Sequence, residues 1–104
     1  MTDQPPPNVG IEPVWLVEAT YAPDAAETRT PFRAEHLARL GRLLEAGVVV
    51  EAGAFIDVSA SIVLVRAESE AAALAICSDD VYLRNGVWVE LRARPFGRVI
   101  RSGR

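Results

Sequence analysis

The chain has 104 residues, half of them hydrophobic and 24% charged, with a formal net charge of −3. That length supports one domain with a real core, and the scatter of the eleven basic residues, all of them arginine, leaves no nucleic-acid footprint. No hydrophobic run reaches membrane-spanning length, no basic-then-apolar leader opens the sequence, and the single Cys77 excludes an internal disulfide, so a reducing cytoplasmic setting is expected.

Residues 1–13 contain Pro5-Pro6-Pro7, Gly10 and Pro13, which block helix and sheet pairing, so a disordered N-terminal tail is expected. Val14 to Tyr21 is rich in β-formers and is closed by Ala22-Pro23-Asp24, which predicts a first strand. Thr30 to Gly47 reads as an amphipathic helix: Thr30 can cap it, Pro31 suits the first helical position, and Gly47 can take the left-handed conformation that ends it. At helical spacing Phe32, Leu37, Leu40, Leu43 and Leu44 form one apolar stripe, and His36, the only histidine, lies inside it. A titratable ring on the inward face of a helix is either a hydrogen-bonded core residue or a site residue.

Val48 to Phe55 and Ser61 to Ala67 read as a second and a third strand, close enough in sequence for an antiparallel hairpin. Ser69 caps a short second helix through Cys77, and Ser78-Asp79-Asp80 breaks it. Asn85-Gly86 marks a turn, Val87 to Arg94 alternates as a fourth strand ending before Pro95, and residues 97–104 are expected to form a C-terminal tail. The folded domain is thus expected over residues 14–96.

The order strand, helix, strand, strand, helix, strand predicts an α+β ferredoxin-like βαββαβ fold, a four-stranded antiparallel sheet with two helices on one face. Both sheet faces are apolar, Ile62 and Leu64 opposing Val63 and Val65 on the third strand. A helix-free apolar face is best covered by a second copy, so a homodimer packed sheet to sheet is expected.

One histidine and one cysteine do not make a metal site, and Gly41, Gly47 and Gly53 make neither a phosphate-binding loop nor a dinucleotide fingerprint; no metal or cofactor is expected. Cys77 reads as a small core residue and Ser61 has no nucleophile signature around it. Arg33, near His36 on the helix, either holds an anionic substrate group or pairs with a carboxylate. Trp15, Tyr82 and Trp88 are either core or interface aromatics or groups that stack on a ring.

Tyr21, the Arg29, Arg33 and His36-Leu37 run, Ala52-Gly53-Ala54-Phe55, Ser61, Asp80-Val81-Tyr82 and Gly86-Val87 together resemble the YciI-like (YCII-related) family, whose members adopt the dimeric α+β barrel. The resemblance spans nearly all of the expected domain. It implies that His36 and Asp80 meet in a pocket beside the sheet as a candidate catalytic pair, with Arg33, Ser61 and Tyr82 as candidate substrate-binding residues. Val81 stands where the family usually has the proline of an Asp-Pro pair, and Asp79 is the neighbouring alternative to Asp80. A carboxylate that orients an imidazole and stabilises its charged form is an acid–base device. The implied activity is therefore cofactor-independent elimination, isomerisation or hydrolysis of a small cyclic or carbonyl-bearing molecule. The alternative is a non-catalytic ligand-binding or accessory domain in which the pair is structural.

Overall fold

The computed structural model describes residues 5–102. Its elements are β1 (Val9–Tyr21), α1 (Ala25–Thr28), a single 3-10 turn (Thr30–Phe32), α2 (Arg33–Glu45), β2 (Val49–Ala54), β3 (Ala60–Val65), α3 (Glu70–Ser78), α4 (Val81–Arg84) and β4 (Trp88–Arg101). The four strands form one antiparallel sheet in the order β2-β3-β1-β4, the ferredoxin-like arrangement expected. β2 and β3 pair directly, as their short spacing predicts.

Register fixes the faces. Trp15 opposite Val65, Val17 opposite Val63 and Ala19 opposite Ser61 point towards the helices. Val17, Ala19, Val63 and Val65 are buried there with Ala73 and Cys77 of α3 and with Tyr82 and Trp88. The other face carries Leu16 opposite Leu64 and Val14 opposite Phe96, so apolar side chains occupy both faces.

Both expected tails need correction. β1 already begins at Val9 and β4 continues to Arg101, the two pairing from Val9 with Arg101 through Pro13 with Gly97. Residues 1–4 and 103–104 of those tails lie outside the described residues. The prolines mislead because Pro13 and Pro95 sit where their strand has a neighbour on one side only: β4 is an edge strand, and β1 has no β3 partner before Trp15. A missing N–H on an unpaired side removes no ladder bond.

The start of the main helix also moves. Thr30 makes no side-chain cap; Thr30–Phe32 form a 3-10 turn and α2 starts at Arg33. Pro31 has no N–H and its ring conflicts with the carbonyl four residues back, so the short α1, which the sequence reading leaves as loop, cannot run on into α2. Gly47, at φ +76°, ends the helix in the left-handed conformation as expected.

Candidate active site

His36 is the one buried residue of α2. Phe32 and Leu43 of the apolar stripe pack against the core, but Leu37 and Leu44 do not close onto the sheet and are each 47% exposed. The cause is across the gap, where β2 presents Ala52, Gly53 and Ala54, too small to reach the helix. Leu37, Leu40 and Leu44 therefore wall a cavity of about 310 Å³, lined also by Tyr21, Ser61, Val63, Tyr82 and Trp88, with Arg29 and Arg33.

Asp80 is positioned by a local motif. α3 ends at Ser78, the chain extends through Asp80, and Asp80 caps α4 by accepting the N–H of Tyr82 on Oδ1 at 2.9 Å. The same buried carboxylate takes His36 Nδ1, at 2.8 Å from Oδ1 and 3.0 Å from Oδ2. Arg39, one turn after His36, reaches Oδ2 at 3.5 Å and donates to the Ile76 carbonyl at 2.6 Å. Asp80 is thus both a helix cap and the partner of His36. Asp79 is not: its side chain is 79% exposed and sits near Arg39 and Arg84.

A carboxylate accepts hydrogen bonds only, so Nδ1 of the neutral ring carries the hydrogen and Nε2 is left with a free lone pair on a ring that lines the cavity. Tyr82 stacks on that ring, centroids 3.8 Å apart and planes 8° apart, and Trp88 stands edge-on to both. Burial, with the neighbouring Tyr21 phenol, raises the Tyr82 hydroxyl above its ordinary range against the pull of Arg29 and Arg33, so it stays a donor at neutral pH.

The sequence profile of the YCII-related domain matches residues 14–97. The chain belongs to the YCII-related family. No curated relative matches the sequence of this YCII-related domain. Among solved structures it is similar to the 5-chloro-2-hydroxyhydroquinone dehydrochlorinase of Burkholderia phenoliruptrix AC1100 in complex with 2,5-dihydroxybenzoquinone, at TM-score 0.68 and 20% identity over 80% of this chain and 92% of that one. At that identity the likeness establishes the fold.

Of the residues singled out from sequence, the YCII-related domain brings His36, Ser61, Tyr82 and Arg33 to one cavity and sets Asp80 directly behind His36. Ser61 is buried on β3 and its Oγ donates to the Tyr21 hydroxyl at 3.1 Å. Arg33 forms no ion pair among the described residues, so the salt bridge considered for it is not made. Cys77 is a buried core residue, as expected; burial pushes its thiol up to about 11, with Arg39 pulling the other way. Sequence reasoning missed Arg39, although its i+3 spacing from His36 puts both on one helix face. It also gave Trp88 no place beside the histidine; its Nε1 is buried without a hydrogen-bond partner. No group of ligating side chains able to hold a metal ion occurs among the described residues, and none of their helices is long and apolar enough to cross a membrane.

Proposed function

We propose that this domain is a cofactor-independent acid–base enzyme of the lyase, isomerase or hydrolase type, acting on a small cyclic or carbonyl-bearing metabolite in the cytoplasm. One observation carries the reading: a buried carboxylate holds Nδ1 of the histidine whose ring forms part of the cavity wall. His36 is the acid–base residue and Asp80 its orienting partner. Nε2 takes the proton from a carbon beside a carbonyl, and the electron pair of the C–H bond moves into the carbonyl as an enolate. The imidazolium, stabilised by Asp80, returns the proton to another carbon of the conjugated system or to a departing group. Such transfers contribute roughly 10²–10⁴-fold. Tyr82 and Arg33 supply donors to the developing oxyanion, while Ser61 holds the Tyr21 hydroxyl in place. The quinone complex of the dehydrochlorinase adds support for a small oxygenated ring as ligand class.

The test is deuterium exchange in D₂O, followed by proton NMR, at the carbons beside the carbonyl of a panel of small cyclic ketones and lactones. Acceleration of at least one member by the native protein, lost in His36→Gln, is the expected result. If the native protein binds 2,5-dihydroxybenzoquinone yet neither it nor His36→Gln accelerates any exchange, the domain is a ligand-binding module and the enzymatic reading fails.

The proposed assembly is a homodimer through the helix-free sheet face. Leu16, Ile62 and Phe96 are incompletely buried there, and Phe96 is 41% exposed. Sedimentation of a dimer that Leu16→Arg converts to monomer is expected. A native monomer at micromolar concentration would overturn it.

A further inference from the structure

We propose that the cavity selects a monocyclic organic anion, whose oxyanion is gripped by Arg29 and Arg33 together while its ring lies against the leucines of α2. The inference rests on the acid–base reading only for what happens after binding; the selection itself stands on the lining.

Charge is distributed unevenly around the cavity. Arg29 and Arg33 both line it, whereas no aspartate or glutamate does, although the chain as a whole carries a net charge of −3. Asp80 is behind the histidine ring and already engaged by His36, Arg39 and the Tyr82 N–H. Five of the other arginines, Arg39, Arg66, Arg84, Arg92 and Arg98, each pair with at least one carboxylate, while Arg42, Arg94 and Arg101 pair with none among the described residues but do not line the cavity. Neither Arg29 nor Arg33 does so among the described residues. Arg29 ends α1, Arg33 begins α2, and the 3-10 turn between them keeps the two at four-residue spacing. Two like charges lining one cavity with no carboxylate among the lining residues repel, and an anion shared between them removes the repulsion.

The other polar groups in the lining complete a set of donors. The Tyr21 hydroxyl accepts from Ser61, which leaves its own hydrogen to give. The Tyr82 hydroxyl lies within electrostatic reach of both arginines and keeps its proton. The apolar part of the wall is Leu37, Leu40, Leu44, Ala52 and Ala54, which offers nothing to a second charge. At about 310 Å³ the cavity lies at the small end of the roughly 300–1,000 Å³ range of small-molecule sites, a size that suits a single ring with one charged substituent. A guanidinium pair grips an oxyanion by several charge-assisted hydrogen bonds and discriminates against the uncharged isostere.

The experiment compares benzoate with benzamide, its neutral isostere, by calorimetry and by ¹H–¹⁵N NMR on the native protein, Arg29→Gln, Arg33→Gln, Arg29→Lys and His36→Gln. Benzoate is expected to bind at least tenfold more tightly than benzamide and to weaken with added salt, and each Arg→Gln variant is expected to lose about tenfold or more, with Arg29→Lys in between. His36→Gln is expected to keep the preference, because selection does not require proton transfer. Arg29 is half-buried and Arg33 exposed, and unchanged circular dichroism is the check that the variants fold. Equal affinity for acid and amide, or a preference for benzoate that survives both Arg→Gln changes, overturns the proposal and leaves the acid–base reading untouched. A retained benzoate preference without any deuterium exchange overturns the acid–base reading alone.

Discussion

His36 and Tyr82 share one partner atom beside their stack: Asp80 Oδ1 accepts both His36 Nδ1, at 2.8 Å, and the backbone N–H of Tyr82, at 2.9 Å. The ring of α2 and the first turn of α4 are thereby fixed to each other, which sets their planes 8° apart at 3.8 Å. A change at Asp80 is consequently read at two places, the imidazole and the turn that carries the phenol.

Asp80→Asn separates these two roles. The amide keeps an oxygen for the Tyr82 N–H but loses the charge beside the imidazole, and its NH₂ group favours the ring tautomer with hydrogen on Nε2. Stability is expected to fall by about 1–3 kcal/mol in urea unfolding. Any His36-dependent exchange is expected to fall roughly 10²–10⁴-fold. Ring ¹⁵N shifts check the tautomer; a ring that still carries hydrogen on Nδ1 would show that Asp80 does not set it.

Tyr82 contributes a face and a hydroxyl. Tyr82→Phe keeps the stack and is expected to cost less than about 1.5 kcal/mol, whereas Tyr82→Ala opens the core beside Trp88 and is expected to cost about 3–5 kcal/mol. The raised phenol means that the folded state holds its proton where the unfolded chain releases it. Stability contributed by the neutral hydroxyl is intact below its unfolded value, near 10, and declines as pH rises above it. Ultraviolet titration should show one of the two tyrosines ionising late, a step missing from Tyr82→Phe.

The cavity exists because the second half of β2, Ala52-Gly53-Ala54, is built from small residues, so filling it is a test of its role. Ala54→Leu projects from the helix-facing side of β2, opposite Ser61, into space that nothing occupies. The melting temperature is expected to hold or rise, since apolar surface of Leu37 and Leu44 is covered. Binding of benzoate, the anion proposed for this cavity, is expected to be lost. Retained binding in that variant would place the ligand elsewhere.

Cys77 is expected to be chemically silent. With its thiol moved from 9.0 to about 11 by burial, the thiolate that reacts with alkylating agents is scarce at pH 8. Iodoacetamide labelling should be at least tenfold slower in the folded protein than in urea. Between pH 9.0 and about 11 the unfolded chain releases this proton before the folded one does, so stability declines as pH rises through that window, by an amount on the order of 2 kcal/mol.

The sequence by itself determined the order of the four strands and the two longer helices, though not the short α1 and α4, together with the antiparallel hairpin of β2 and β3, the end of α2 at Gly47 and the inward placement of His36. These are local matters: apolar periodicity, β-branched runs and the freedom of glycine act over a few residues and leave a readable pattern. It also marked Asp80, through the family resemblance. Tertiary structure alone decided that Asp80 rather than Asp79 meets His36, a separation of 44 residues. The choice depends on which side of the turn after α3 faces α2, and the two adjacent carboxylates are chemically identical. Tertiary structure also decided the length of the β1–β4 ribbon, because a proline is harmless only when its strand has no partner on that side. It decided, finally, that Leu37, Leu40 and Leu44 line a cavity while Phe32 and Leu43 of the same stripe pack on the core. Leucines at helical spacing look the same in either case, and what lies opposite them, Ala52-Gly53-Ala54, is set by the sheet.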